Sequence, residues 1–191
     1  SYIEGYPTGS PPSSSTPTVN QNFGPGETLS TKAVIGVGQG GSITFSNAKG
    51  DTDIVVDIDG YFGSPGSSGA LFVPLAAPVR LTDTRPAGVG GGSSATSTVG
   101  GADGVPQTAS AGVFNVTDVA TGPNYLTVYP DGQSVPLAAD VNYVPGDTFN
   151  VVADAAYGRL GSDGAVGVYN GPSGGPVANV VVDEFGYFTG G

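Results

Sequence analysis

The nine residues Val180-Val-Val-Asp-Glu-Phe-Gly-Tyr-Phe188 repeat, at six of nine positions, an earlier stretch of the same chain, Ile54-Val-Val-Asp-Ile-Asp-Gly-Tyr-Phe62. Tyr61 and Tyr187 stand 126 residues apart, as do Asp57 and Asp183. Rich in β-branched and aromatic residues, each copy predicts a half-buried strand that closes an all-β unit. A repeat of this kind restricts the possible folds more than any short motif does.

Other matches extend the repeat. Tyr2-Ile-Glu-Gly-Tyr-Pro7 answers Tyr125-Leu-Thr-Val-Tyr-Pro130, and Phe23-Gly-Pro-Gly-Glu-Thr-Leu29 answers Val144-Pro-Gly-Asp-Thr-Phe149. Leu29–Val37 and Ser42–Ser46 predict a hairpin around Gly38–Gly41, with counterparts at Thr148–Ala156 and Ala165–Tyr169 around Gly161–Gly164. The drift in spacing places small insertions in loops, where the backbone can meet water. Ahead of the second copy, Phe72–Arg85 predicts an extended edge segment and Thr96–Val99 a short strand. Gly112–Val119 and Tyr125–Pro130 predict a further hairpin.

No stretch keeps helical apolar spacing for three turns. The expected fold is therefore all-β, with β-sandwich or barrel-like modules in one complete plus one incomplete copy. The expected boundaries are residues 1–62 for the incomplete module (its second half only), 63–69 for a Gly/Ser linker and 70–191 for the complete module. Weaker echoes inside the module, such as Phe114-Asn-Val116 with Phe149-Asn-Val151, suggest two hairpin-based layers facing each other. No counterpart of Phe72–Thr121 precedes Tyr2 within these 191 residues.

Composition fits short strands joined by many turns. The 34 Gly and 16 Pro make up about a quarter of the chain, yet 38% of residues are hydrophobic, including nine Tyr and eight Phe. A net charge of −11 argues against nucleic acid and anionic membranes as partners. No apolar run approaches the roughly 18 residues that a membrane helix needs. Cys, Met, Trp and His are all absent. That leaves almost nothing to oxidise and suits a long-lived extracellular material. A secreted chain numbered from Ser1 would already have shed its leader.

Four stretches together resemble one family. Phe72-Val-Pro-Leu-Ala-Ala-Pro-Val-Arg-Leu-Thr-Asp-Thr-Arg85, Val113-Phe-Asn-Val-Thr117, Tyr125–Pro130 and the closing Val181–Phe188 are similar to the β-modules, often tandemly repeated, of secreted and cell-surface proteins of actinobacterial type. The resemblance spans about 120 residues fully and the first 62 in part. It implies an extracellular or cell-surface setting and a structural or adhesive role, and it brings no catalytic residues with it.

Several candidate sites have a bland reading beside the functional one. Asp51, Asp53, Asp57 and Asp59 form the densest acidic cluster and could offer hard oxygen ligands to calcium. The second copy replaces Asp59 with Phe185, so solvent-facing strand carboxylates are the favoured reading and no metal is expected. In the alternation of the closing strand Glu184 falls in the core frame, which calls for a bulge or an exposed edge. Asp83 and Arg85 read as a structural ion pair. Asn115-Val-Thr117 is a formal N-glycosylation acceptor, with a buried strand position favoured over that role. Tyr2, Tyr6, Tyr125, Tyr129 and Tyr187 could stack on sugars, but tyrosines at strand ends usually serve packing. With no His or Cys and no carboxylate pair singled out by spacing, no catalysis and no cofactor are expected.

The main functional expectation is a structural extracellular protein, a subunit of a surface filament or layer assembled by β-complementation. Its partners would be copies of itself, head to tail, without nucleic acid or membrane insertion. The assembly residues would be Leu29, Val37, Ile54, Val56, Ile58 and Phe62. Ser13, Ser14, Ser15, Thr16 and Thr18, in a Ser/Thr/Pro-rich stretch, are candidate O-glycosylation positions. The alternative is a carbohydrate-binding or adhesive surface module, with glycans as the ligand.

Overall fold

The computed structural model describes residues 1–64, 66–144 and 151–190, and within them the chain is all-β, with no α-helix. The strands are β1 (Tyr2–Pro7), β2 (Gln21–Asn22), β3 (Ile43–Asn47), β4 (Leu71–Asp83), β5 (Ser93–Thr98), β6 (Ala111–Ala120), β7 (Asn124–Pro130), β8 (Val141–Tyr143), β9 (Val152–Arg159), β10 (Ala165–Gly171) and β11 (Ala178–Thr189). They fall into two compact units, Ser1–Val56 and Asp57–Gly191.

The second unit is a sandwich of two antiparallel sheets, ordered β4-β11-β6-β9 and β5-β10-β7-β8. Strict alternation along β6 builds one face of the core. Gly112, Phe114, Val116, Asp118 and Ala120 are buried, while Val113, Asn115, Thr117 and Val119 are only partly covered on the other face. Phe114 and Val116 meet Val180 and Val182 of β11, together with Leu126 and Val128 of β7 and Val166 and Val168 of β10. These large side chains close the space between the layers.

The halves of the module are interleaved. In the order β4-β11-β6-β9 the strands alternate between residues 71–120 and residues 152–189. Among the described residues β9 pairs only with β6, and β11 only with β4 and β6. The expectation of two hairpin layers, one per half, is therefore overturned. So is the hairpin of Gly112–Val119 with Tyr125–Pro130. β6 and β7 lie in opposite sheets, joined by an arch at Thr121–Pro123, because each buries its apolar face from its own side of the core. β9 and β10 are likewise split between the sheets.

The first unit is one three-stranded antiparallel sheet ordered β2-β1-β3. Its ladder repeats that of β8-β7-β10. The pairs Ile3↔Asn47, Gly5↔Phe45 and Pro7↔Ile43 fall in the register of Leu126↔Asn170, Val128↔Val168 and Pro130↔Val166. Tyr2↔Asn22 matches Tyr125↔Asn142 in the same way.

Finer details coincide as well. The Gly5 amide donates to Asn20 Oδ1 at 2.6 Å, and the Val128 amide donates to Asp140 Oδ2 at 2.7 Å. Asn47 Nδ2 donates to the Gly50 carbonyl at 2.7 Å, and Asn170 Nδ2 to that of Pro176 at 2.8 Å. Gly38 and Gly161 hold the same tight approach: a Cβ on either would collide with backbone, that of Thr8 or Asp131.

Two strands predicted within residues 1–62 are absent among the described residues. Residues 29–37 and 54–62 form no ladder. The physical reason is the interleaving: the matching strands β9 and β11 pair only with β4 and β6, and residues 1–62 contain no counterpart of either. The predicted equivalence of Tyr61 and Tyr187 consequently fails, since Tyr61 is 92% exposed and unpaired while Tyr187 lies in β11. Pro145, expected to match Pro25, lies outside the described residues, as do residues 148–150 of the predicted strand Thr148–Ala156 and Pro65 of the predicted linker.

Candidate assembly surface

The two copies of the repeated phrase meet opposite environments. In β11, Val180, Val182 and Glu184 are 0% exposed. The residues in the same places of the first copy, Ile54, Val56 and Ile58, are 44%, 47% and 83% exposed. Leu29, Val37 and Phe62 are also exposed. All six expected assembly residues thus lie open to solvent, in coil, and are not gathered on a strand face. Phe62 has its own neighbour, stacking at 6.5 Å on Phe188, which in turn lies 5.4 Å from Phe72.

The three-stranded sheet that repeats β8-β7-β10 is under-covered in the same sense. No residue of unit Ser1–Val56 is fully buried. Leu126, Val166, Val168 and Asn170 are buried, whereas Ile3, Ile43, Phe45 and Asn47 are only half-covered. Residues 34–36 fold back over β1, so that Ile35 lies against Gly5. Between β1, that segment and the 8–20 loop lies an open groove of about 400 Å³ lined by Tyr6, Pro7, Pro12, Val19 and Ile35. No described strand pairs with the outer edge of β3, where the matching β10 pairs with β5.

The other sequence candidates sort as follows. Ser13, Ser14, Ser15, Thr16 and Thr18 are all exposed in the loop between β1 and β2. Asp51, Asp53, Asp57 and Asp59 are exposed but not on a strand, and Asp57 accepts a hydrogen bond from the Ala139 amide at 3.3 Å. No group of three or more Asp, Glu, His or Cys placed to hold a metal ion occurs among the described residues. Asp83 and Arg85 do form an ion pair, and the arginine holds the aspartate carboxyl well below the usual carboxylate range. Tyr129 is buried, with its hydroxyl donating to Ser94 Oγ at 2.8 Å; Tyr2, Tyr6, Tyr125 and Tyr187 are half-buried. Asn115 is partly buried and bonds to Thr117 Oγ1 at 3.3 Å.

Glu184 does sit at a β-bulge: the register shifts between Glu184 and Gly186 against both neighbouring strands. The strand is central, however, not an edge. Neither oxygen of the Glu184 carboxyl has a partner, and burial, then the nearby Asp103 charge, pushes it up to about 7.

Two features escaped the sequence reading, one buried and one at the surface. Asp118 on β6 is fully buried and accepts a bond from Asn124 Nδ2 at 2.6 Å, so that burial raises it to about 6 against the opposing effect of that bond. Asn124 also donates to Asn170 Oδ1 at 3.0 Å within its own sheet, and its bond to Asp118 ties β7 to β6 across the two sheets. Asp118 stands four residues beyond Phe114 on the same face of β6, and that alternation was the available signal. Arg80 pairs with Asp183 across β4 and β11. A scan against protein-family models finds none that matches this chain, and no curated protein matches it in sequence.

Proposed function

We propose that the protein is a structural, non-enzymatic extracellular protein, a subunit of a surface filament or layer held together by β-complementation between neighbours. The observation that carries this reading is the exposure of Ile54, Val56 and Ile58, whose counterparts Val180, Val182 and Glu184 are fully buried in a central strand. Burying a large apolar side chain contributes about 1.5–3 kcal/mol. Ile54, Val56, Ile58, Phe62, Leu29 and Val37 are each exposed large apolar side chains of the kind proteins normally cover. A neighbour that adds backbone pairing as well as apolar cover satisfies the free amides and carbonyls too. A contact that joins unlike surfaces on successive subunits does not close on itself, and so propagates.

Other features support an exposed setting. The acidic surface keeps subunits soluble before assembly. The chain lacks oxidisable Cys and Met, and the exposed Ser/Thr loop suits O-glycosylation at Ser13–Ser15, Thr16 and Thr18. The resemblance to secreted tandem β-modules leads to the same place.

The test is immuno-electron microscopy of cells that make the protein, with antibody against residues 1–62. Continuous labelled filaments or sheets at the cell surface are expected, and they should be lost in an Ile54→Asp/Val56→Asp/Ile58→Asp variant. Label found only on dispersed single molecules in the medium would overturn the reading.

A further inference from the structure

What would complete residues 1–62 is defined by what surrounds their counterparts. β11 runs between β4 and β6, β9 pairs with β6 alone, and the far edge of β10 is taken by β5. β4, β5 and β6 all come from residues 71–120, the first half of the module. Residues 1–191 thus hold two second halves and a single first half, whose three strands are engaged in ladders within unit Asp57–Gly191. A head-to-tail exchange of this half between identical copies moves the gap without filling it.

We infer that residues 1–62 take up a first-half segment of the same module type other than residues 70–121, joined ahead of Ser1 or carried on another chain. This rests on the complementation reading above and restricts its partner to a first half that a copy of residues 1–191 cannot spare. The receiving surface is specified in some detail. Ile54, Val56 and Ile58 take the places of the buried Val180, Val182 and Glu184, and Ile58 is apolar where the other copy buries a carboxyl. Residues 54–62 contain no proline, so every amide can enter a ladder. Asp57 stands in the place of Asp183, which pairs with Arg80 of β4, so the incoming segment should present a cation opposite Asp57.

The junction fits as well. Ser1 occupies the place of Asn124, and its nitrogen donates to the Phe23 carbonyl at 2.9 Å, matching the pairing of Asn124 with Tyr143. A first-half segment ending like Thr121-Gly-Pro123 would run into Ser1 without disturbing that rung.

The experiment places a second copy of residues 70–123 directly ahead of Ser1 in the full chain and follows amide hydrogen exchange at residues 54–58. Exchange there should slow on the order of 100-fold or more relative to the unextended chain. Val116→Asp, placed only in the added copy, should abolish the slowing while protection at residues 180–184 persists and reports that the complete unit is folded. As a second arrangement, the 70–123 segment supplied as a separate peptide should slow exchange at 54–58 in proportion to its concentration. Unchanged exchange at residues 54–58 in both arrangements overturns the inference. So does protection of residues 54–58 in oligomers formed by the unextended chain alone, a result that would leave the assembly reading standing.

Discussion

Sheet β2-β1-β3 and sheet β8-β7-β10 share strand order, ladder register and even side-chain hydrogen bonds, yet they differ in what covers them. Around β8-β7-β10, a fourth strand and a facing sheet leave Leu126, Val166 and Val168 with no exposure at all. Around β2-β1-β3 no residue is fully buried, and the stretch that matches β11 is coil. Related local sequence therefore reaches the ladder stage twice and the core stage once. The repeated phrase Val-Val-Asp-x-x-Gly-Tyr-Phe becomes a strand only where β4 and β6 flank it. Strand propensity depends on context, and here the context is the supply of partners.

Matched substitutions in the two copies sharpen that contrast. The largest effect belongs to Val182→Asp against Val56→Asp. The first puts an unpaired charge into the core and should cost about 4 kcal/mol or more, whereas the second changes an exposed site and should stay within about 0.5 kcal/mol. Chemical denaturation followed by tyrosine fluorescence reads both, and equal losses would break the comparison.

Next comes Asn170→Ala against Asn47→Ala. Asn170 satisfies the buried carbonyls of Val89 and Pro176 and accepts from Asn124. Its loss should cost about 2–3 kcal/mol, since the partners are left unpaired. Asn47 bonds only to Ser1 and Gly50 near solvent, and removing it should cost less than about 1 kcal/mol. The same denaturation curves separate the two.

A pH dependence should appear in the complete unit alone. The folded Glu184 carboxyl titrates at about 7 instead of 4.5, so between those values the folded state holds more protons than the unfolded one. Its stability is therefore full below about pH 4.5 and declines as pH rises towards 7. Asp118, raised to about 6, acts in the same direction at the lower end of the window. The melting temperature of the complete unit should fall over this range. Glu184→Gln should flatten the fall above about pH 6, where Glu184 alone still titrates. A melting temperature that rises over the window, or an unaltered slope in the variant, would contradict the burial argument. Ile58 holds the equivalent place in the first copy, which should show no such slope.

The smallest effect concerns the loops. Replacing Ser13, Ser14, Ser15 and Thr16 together with alanine removes exposed side chains and should move stability by no more than about 0.5 kcal/mol in the unmodified chain, by thermal melt.

Much of this architecture was legible in the residues. Alternation announced β6, the prolines of Phe72–Arg85 announced the edge position of β4, and the misplaced Glu184 announced the bulge. Tyr2–Pro7 and Tyr125–Pro130 matched in sequence and match in register. The interleaving was not legible, because period-2 patterning states which face is buried but not which strand lies alongside. That gap misplaced the β6–β7 and β9–β10 connections as hairpins, and it made residues 54–62 read as a strand. Among the assembly residues, Leu29, Val37, Ile54, Val56, Ile58 and Phe62 were chosen for an apolar face, and their exposure follows from the partners that the first copy lacks. The burial of Asp118 escaped notice because an aspartate between valine and threonine positions reads as a surface residue until the opposing asparagine is known.

The most direct test is native-state amide hydrogen exchange on the dispersed chain, comparing residues 54–58 with residues 180–184. The account predicts exchange at 54–58 close to that of an unstructured peptide and protection at 180–184 on the order of a thousand-fold or greater. Comparable protection at both sites in a dispersed monomer would mean that the first copy completes its own strand, and the claim that it waits for a partner would be wrong.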